Sequence, residues 1–286
     1  MPDLFGEPAF MKRSASGETG SGPVAGCGLA EALESALERE QFILEYQPQL
    51  DLSSGRIVGA EALIRWRLPG RGIVMPAEFI PLAEGRGRIA EIGAWVIRTA
   101  CMQSRSWRQA GIANLRVAVN VSAVQLSRGD IVDTVASALA DAELDGSGLE
   151  LEITEGVVVD PKRALPVLER LQKLGVRVSI DDFGTGYSSL HYLREMPIDS
   201  IKIDRSFIRN LTDNAQDQAI VMAIVAMARR LGLRIIAEGV ETADQVRVLR
   251  ALGCDEIQGY LISPPIPADR LTELLRRKDK LRFLLP

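Results

Sequence analysis

The sequence predicts an α/β fold, a (β/α)8 TIM-like barrel modified by one antiparallel strand. The first observation is a recurring joint in which a helical stretch ends in Gly and a short apolar run follows. It occurs at Ala110-Gly111 before Leu115–Val121, at Leu174-Gly175 before Val176–Ile180, at Leu231-Gly232 before Leu233–Ala237, and at Leu252-Gly253 before Glu256–Ile257. Gly there suits the left-handed cap that closes a helix, so each joint leads a helix into a strand. Helices alternating with strands imply parallel units. The second observation is number: runs near 42–50, 56–66, 115–121, 149–154, 176–181, 199–203, 233–237 and 255–258 read as eight strands in about 220 residues, which suits a closed barrel. The third is that only Asp51-Leu52-Ser53-Ser54-Gly55 separates the first two runs. Such a link closes a hairpin, whereas a parallel crossover needs about a dozen residues or more, so one strand runs antiparallel to its neighbour.

Ahead of the barrel, residues 1–28 are rich in Gly, Ser and Pro and read as a flexible tail without the apolar stretch of a signal peptide. Ala30 to Gln41 reads as a helix from its apolar spacing, and residues 29–286 as one barrel domain. With 47% apolar and 25% charged residues, the 286-residue chain can bury a sizeable core. A net charge of −4 offers no basic footprint for duplex nucleic acid, so any nucleotide partner is expected to be small. No apolar run approaches the roughly 20 residues that span a bilayer, so no membrane segment is expected. Three widely spaced cysteines, Cys27, Cys101 and Cys254, suit reduced thiols and a cytoplasmic protein. There is one histidine, His191, and no close Cys pair. Zinc sites, His-based triads and His-ligated iron need residues that the chain scarcely has, so any metal must be held by oxygen, which points to Mg²⁺, Mn²⁺ or Ca²⁺.

Strand alternation gathers the candidate ligands. In Leu115–Val121 the odd positions are Leu and Val while the even ones are Arg116, Ala118 and Asn120, and Leu149-Glu150-Leu151-Glu152-Ile153 repeats the alternation. A strand has period two, so Asn120 and Glu152 face away from the helix-packing side. Val58, Ala60, Ala62, Ile64 and Trp66 likewise form an apolar face opposite Glu61 and Arg65, which lie about 13 Å apart along the strand. Asn120, Glu152, Asp181-Asp182, Lys202, Glu238 and Gln258 all fall towards the C-terminal ends of successive strands. In a barrel those ends form one mouth, where barrel enzymes place their active sites. Any one of these residues alone reads as a helix cap or a solvated loop residue; their recurrence at the same strand end argues otherwise. The carboxylates of Glu61, Glu152, Asp181, Asp182 and Glu238 at one mouth would repel each other without bound cations. The adjacent aspartates suit a two-metal phosphoester hydrolase, one bridging two ions and the other ligating one.

Glu61-Ala62-Leu63, followed two residues on by Arg65, resembles the signature of EAL domains, which take their name from that tripeptide. Tyr46-Gln47-Pro48 precedes it, and Asn120-Val121-Ser122, Glu152-Ile153-Thr154-Glu155 and the run from Asp181 to Ser189 follow. Ile201-Lys202-Ile203-Asp204, the run from Ala237 to Thr242 and Gln258-Gly259-Tyr260 complete the set in the family's order and spacing, so the resemblance covers about residues 30–275. It implies a modified barrel that hydrolyses the bacterial second messenger cyclic di-GMP to linear 5′-pGpG with two divalent ions, Mg²⁺ or Mn²⁺. It implies Glu61, Asn120, Glu152 and Asp181 as ligands of one metal, Asp181 as bridge to a second held by Asp182, and Glu238 in support. In that resemblance Lys202 polarises the attacking water, Arg65 contacts phosphate, Gln47 and Gln258 position substrate or water, and Glu241 touches substrate or a ligand. Glu155 looks like the anchor of the loop that carries Asp182, a region through which relatives dimerise, so a homodimer is expected, along with an upstream regulatory protein. The alternative is a catalytically silent, cyclic di-GMP-binding sensor, which is expected to have lost a ligand, the lysine or Glu155; this chain keeps all of them. An unrelated aldolase or enolase-like barrel would not reproduce these spacings. The chain departs from the family at Gly85-Arg86-Gly87-Arg88, which could alter a loop near the mouth, and at His191 and Pro264.

Overall fold

The structure, a computed structural model, describes residues 28–112, 114–128, 130–156, 161–186 and 193–276. The expected tail up to Cys27, the stretch Tyr187–Ser189 and His191 lie outside the described residues.

Two strands set the topology. β1 (Phe42–Asp51) and β2 (Ile57–Leu68) pair antiparallel, from Phe42 opposite Trp66 to Leu50 opposite Ile57. Their link turns at Gly55, with φ +68°, and the Asp51 carboxylate accepts hydrogen bonds from Ser53 Oγ and from the Ser54 amide and hydroxyl. The hairpin is the one expected from the short connection. A further strand, β3 (Gly72–Val74), folds back on the end of β2 and was not foreseen, because three residues carry no periodicity to read. Parallel strands follow: β4 (Arg116–Val121), β5 (Leu149–Thr154), β6 (Arg177–Phe183), β7 (Ser200–Ile203), β8 (Arg234–Ala237) and β9 (Glu256–Gln258). The sheet runs β1-β9-β8-β7-β6-β5-β4-β2 and closes through β1–β2, with β3 on the outside of β2. β1 is antiparallel to both its neighbours, β2 and β9. The result is the expected modified barrel.

At the four predicted joints, Gly111, Gly175, Gly232 and Gly253 all have φ between +73° and +91°, the left-handed geometry that L-residues with a Cβ disfavour. The first helix is shorter than its pattern suggested. It covers Leu29–Glu34 (α1), and turns continue to Glu40, whose φ of +52° redirects the chain into β1. Packing decides this, because Phe42 must seat among Trp66, Phe79 and Trp95, with ring centroids 5.6–6.0 Å away. Phe79 belongs to α2 (Pro76–Gly85) and Trp95 to α3 (Ile89–Gln109), so this cluster ties the hairpin to the outer helices. Burying each such ring contributes roughly 1.5–3 kcal/mol, enough to outweigh the propensity of a few helical residues.

The barrel interior is polar at both ends. At the floor, Arg116 Nη2 lies 2.6 Å from Glu256 Oε2 and its Nε 3.2 Å from Glu150 Oε2, while Arg234 Nη1 is 3.1 Å from Glu256 Oε1. Arg116, Arg234 and Glu256 also line a floor cavity of about 390 Å³. The carboxylates predicted from the strand ends occupy the opposite end.

Candidate active site

Lys202, fully buried on β7, organises the mouth. Its Nζ lies 2.6 Å from Glu238 Oε1, 2.8 Å from Glu152 Oε2, 3.1 Å from Asp181 Oδ1 and 3.4 Å from Glu61 Oε2. One ammonium with three protons therefore serves four carboxylates from four strand ends. Glu61, on β2, also accepts 2.6 Å hydrogen bonds from Asn120 Nδ2 at one oxygen and Gln258 Nε2 at the other. Period two puts Glu61, Asn120, Glu152 and Lys202 on the inward face, and parallel register aligns them, with Asn120 directly opposite Glu152.

The Asp181-Asp182 pair needs another device, since successive strand residues point to opposite faces. The β6–β7 register shifts between Ile180 and Phe183, and Asp182 takes a left-handed backbone with φ +53°. This bulge keeps both carboxylates at the mouth. A left-handed non-Gly residue costs on the order of 1 kcal/mol, and short polar Asp is among the residues that tolerate it. The Asp182 amide donates to Asp181 Oδ1 at 3.0 Å. Just after β5, Glu155 Oε2 accepts from the amides of Gly184 (3.1 Å) and Gly186 (2.9 Å), pinning the segment just after the bulge.

Crowding shows in the titration. Burial, then the neighbouring Glu61 charge, pushes the Glu152 carboxyl well above the usual range. Burial raises Glu238 to about 8, against the pull of Lys202. Asp182 is also raised, by burial and by Asp181. Burial would raise Glu61 too, but the Lys202 charge and the donors from Gln258 and Asn120 outweigh it and hold that carboxyl below its ordinary value. Burial works against the Lys202 ammonium, yet Glu152, Glu238, Glu61 and Asp181 together hold its pKa well above that of a free lysine.

These groups fit oxygen-ligated cations. One oxygen each from Glu61, Glu152 and Asp181 lie within 4.8 Å of one another, and the same holds for Asp181, Asp182 and Glu238. The two sets share Asp181. Glu152 Oε1 is buried and makes no hydrogen bond, an acceptor left over for a ligand. Carboxylate and amide oxygens suit hard divalent ions.

The remaining predicted residues divide. Gln47 and Gln258 join the cluster, with Gln258 Nε2 donating to Gln47 Oε1 at 3.0 Å. Arg65, four residues further along β2 than Glu61, is fixed with its Nε donating to Glu45 Oε2 at 2.9 Å and its Nη1 to the Ile64 carbonyl at 3.0 Å. Glu241 is exposed in the loop after β8; its amide bonds Gln245, and the structure does not join its side chain to the carboxylates. Sequence reading missed Glu45 and Gln49. Both fall on the Glu45-Gln47-Gln49 alternation of β1, a signal that was available but not followed beyond Gln47.

The EAL domain model matches residues 30–265, and the chain belongs to the EAL domain family. The bifunctional diguanylate cyclase/cyclic di-GMP phosphodiesterase MucR of Pseudomonas aeruginosa is 48% identical over 244 residues, which cover 85% of this chain and 36% of MucR. The cyclic di-GMP phosphodiesterase NbdA of the same organism is also 48% identical, over 87% of this chain and 32% of NbdA. The chain thus spans about a third of the length of these relatives. A solved structure described as the PaMucR phosphodiesterase in complex with c-di-GMP is similar over 84% of this chain and 98% of its own, at 48% identity and a TM-score of 0.81. Among the described residues no helix is long and apolar enough to cross a membrane.

Proposed function

We propose that this chain hydrolyses cyclic di-GMP to linear 5′-pGpG in the cytoplasm, using two divalent ions, Mg²⁺ or Mn²⁺. The observation that carries the reading is the pair of oxygen sets that share Asp181 around Lys202. Relatives named as cyclic di-GMP phosphodiesterases support the substrate. Glu61, Asn120, Glu152 and Asp181 would hold one ion, and Asp181, Asp182 and Glu238 the other. When bound, the ions supply the positive charge that stabilises the transition state of in-line displacement at phosphorus.

The chain's own groups do the rest. Lys202 balances the carboxylates and donates a hydrogen bond to the attacking water. Arg65 offers Nη2, which makes no protein hydrogen bond among the described residues, to a phosphate oxygen. Gln258 donates to Glu61 and, with Gln47, positions substrate or water, and Glu241 contacts substrate only from the rim. Glu155 fixes the segment that carries Asp182, and we assign a homodimer interface to that region.

The test is to incubate purified protein with cyclic di-GMP and Mg²⁺ or Mn²⁺ and separate the products. Release of 5′-pGpG is expected, with Glu61→Ala inactive but folded. Intact binding of nucleotide without product would leave a silent sensor, and full activity in Glu61→Ala would overturn the ligand assignment. Light scattering checks the dimer.

A further inference from the structure

We infer that Arg116, at the floor of the barrel, sets the hydrogen-bond polarity at Glu61 through Gln49 and Gln258, so that Arg116 and Gln49 are positioning residues for the metal site. The inference rests on Glu61 acting as a metal ligand in the function proposed above.

An unbroken file of side chains crosses the barrel interior. Arg116 Nη2 donates to Gln49 Oε1 at 2.8 Å, and Gln49 Nε2 donates to Gln258 Oε1 at 3.0 Å. Gln258 Nε2 donates to Glu61 Oε2 at 2.6 Å and to Gln47 Oε1 at 3.0 Å. The file is closed to solvent, with Gln49 fully buried and Arg116, Gln258 and Glu61 no more than 5% exposed.

Its chemistry admits one arrangement. A guanidinium donates and never accepts, so Gln49 must turn its carbonyl to Arg116 and its NH2 onward. Gln258 must then receive that NH2 with its own carbonyl. Its NH2 is left facing Glu61, where an ionised carboxylate only accepts. Gln47 enforces the same sense independently: its Nε2 donates to the Ser263 carbonyl at 3.2 Å, which leaves Oε1 towards Gln258 and calls for a donor there. With a donor-only group at one end and an acceptor-only group at the other, each amide in the file has a single self-consistent orientation. A flipped amide would place two oxygens face to face in a dry interior, where an unmade hydrogen bond is costly.

Gly59 keeps the file open. A Cβ on this β2 residue would stand 2.5 Å from Gln49 Oε1 and 3.0 Å from Arg116 Nη2, inside the contact that starts the relay. Glycine in a strand weakens it, and here it makes room for a charge-assisted hydrogen bond. Arg116 is itself held by Glu256 and Glu150, so the source of the polarity is fixed.

The experiment titrates Mn²⁺ into substrate-free protein by calorimetry, which reads the site whether or not cyclic di-GMP proves to be the substrate. Gln49→Glu keeps size and still pairs with Arg116, but offers only acceptors to Gln258. Gln258 must then turn its NH2 to the new carboxylate and its carbonyl to Glu61. Mn²⁺ affinity is expected to fall by ~10-fold or more, the usual effect of losing a partner that orients a ligand. Gln49→Met and Gly59→Ala break the relay without inverting it, so each should cost less Mn²⁺ affinity than Gln49→Glu. A purely electrostatic role predicts the opposite for Gln49→Glu, because an added carboxylate attracts the cation. Equal or tighter Mn²⁺ binding in Gln49→Glu would overturn the relay. Neutron diffraction on the wild-type protein supplies a second reading that needs no variant. Deuterons on the Gln258 amide facing Glu61 and Gln47 are expected, and deuterons facing Gln49 would overturn it. Absence of Mn²⁺ binding in the wild type would instead sink the metal site itself.

Discussion

Single residues carry sharply different duties in this barrel, and Lys202 shows it best. Its ammonium is the only cation within 4 Å of Glu61, Glu152, Asp181 and Glu238 among the described ion pairs. Lys202→Met removes a charge that competes with divalent ions for the same oxygens. Mn²⁺ affinity should hold or rise, while hydrolysis falls by ~10²–10³, the size of losing one preorganised donor at a reacting centre. Calorimetry beside turnover separates the two, and a parallel loss of Mn²⁺ binding would show that the lysine acts as scaffold instead. Arg65 teaches a second lesson. Glu45, 28% exposed at the side chain, accepts from Nε at 2.9 Å and so anchors the guanidinium while Nη2 keeps its donors. Glu45→Ala should raise KM about fivefold with kcat unchanged, on the order of the 1 kcal/mol that a partly exposed ion pair contributes. An unchanged KM would mean that packing on β2 orients Arg65 by itself.

At the scale of elements, the bulge at the end of β6 is the least predictable feature and the most consequential. Glu155 is the prop of that bulge, because two amides beyond Asp182 end on one of its oxygens. Glu155→Ala leaves those amides without this acceptor, a cost of ~1–3 kcal/mol if they stay buried. The segment should loosen and weaken the ion bound by Asp182. Activity is therefore expected to need more Mn²⁺ for half-saturation, and to recover at high Mn²⁺ with little change in global melting. Loss that no Mn²⁺ concentration rescues would place Glu155 elsewhere in the mechanism. Much of the element layout was legible, since glycine joints and period-two alternation are local signals, and they located β4, β5 and the inward Asn120 and Glu152. The length of α1 was not, because Phe42's aromatic partners lie 24 to 53 residues further along the chain. Nor was the floor network legible, since Arg116 and Glu256 are 140 residues apart and each alone reads as a strand-end charge. The departure at Gly85–Arg88 was expected to touch a loop near the mouth. Its arginines clasp Glu34 of α1, at 3.1 Å from Arg86 Nη1 and 2.9 Å from Arg88 Nε.

Across the whole molecule, the barrel opposes two buried charge systems: a floor where arginines and carboxylates balance, and a mouth where carboxylates are in excess. The excess makes stability depend on pH and on metal together. Glu238 titrates near 8 in the fold, and Glu152 and Asp182 are raised as well, all from ordinary values near 4 to 4.5. The folded, metal-free protein therefore keeps protons that the unfolded chain has already released. By linkage, that contribution to stability is complete below about pH 4.5 and is lost as pH rises through about 8. Glu61 works the other way: its lowered carboxyl favours the fold above its ordinary range and loses that advantage as pH falls. The Glu61 effect lies at and below its ordinary value, so between pH 5.5 and 8.5 the raised mouth carboxyls set the sign. Divalent ions replace the retained protons, so their binding strengthens as pH rises to about 8 and compensates the metal-free loss. Scanning calorimetry in EDTA and in saturating Mn²⁺, at a series of pH values from 5.5 to 8.5, should show the difference in Tm between the two conditions widening with pH. A difference that stays constant would mean that the mouth carboxylates are already ionised without metal, and that the crowding around Lys202 is relieved by something other than a cation.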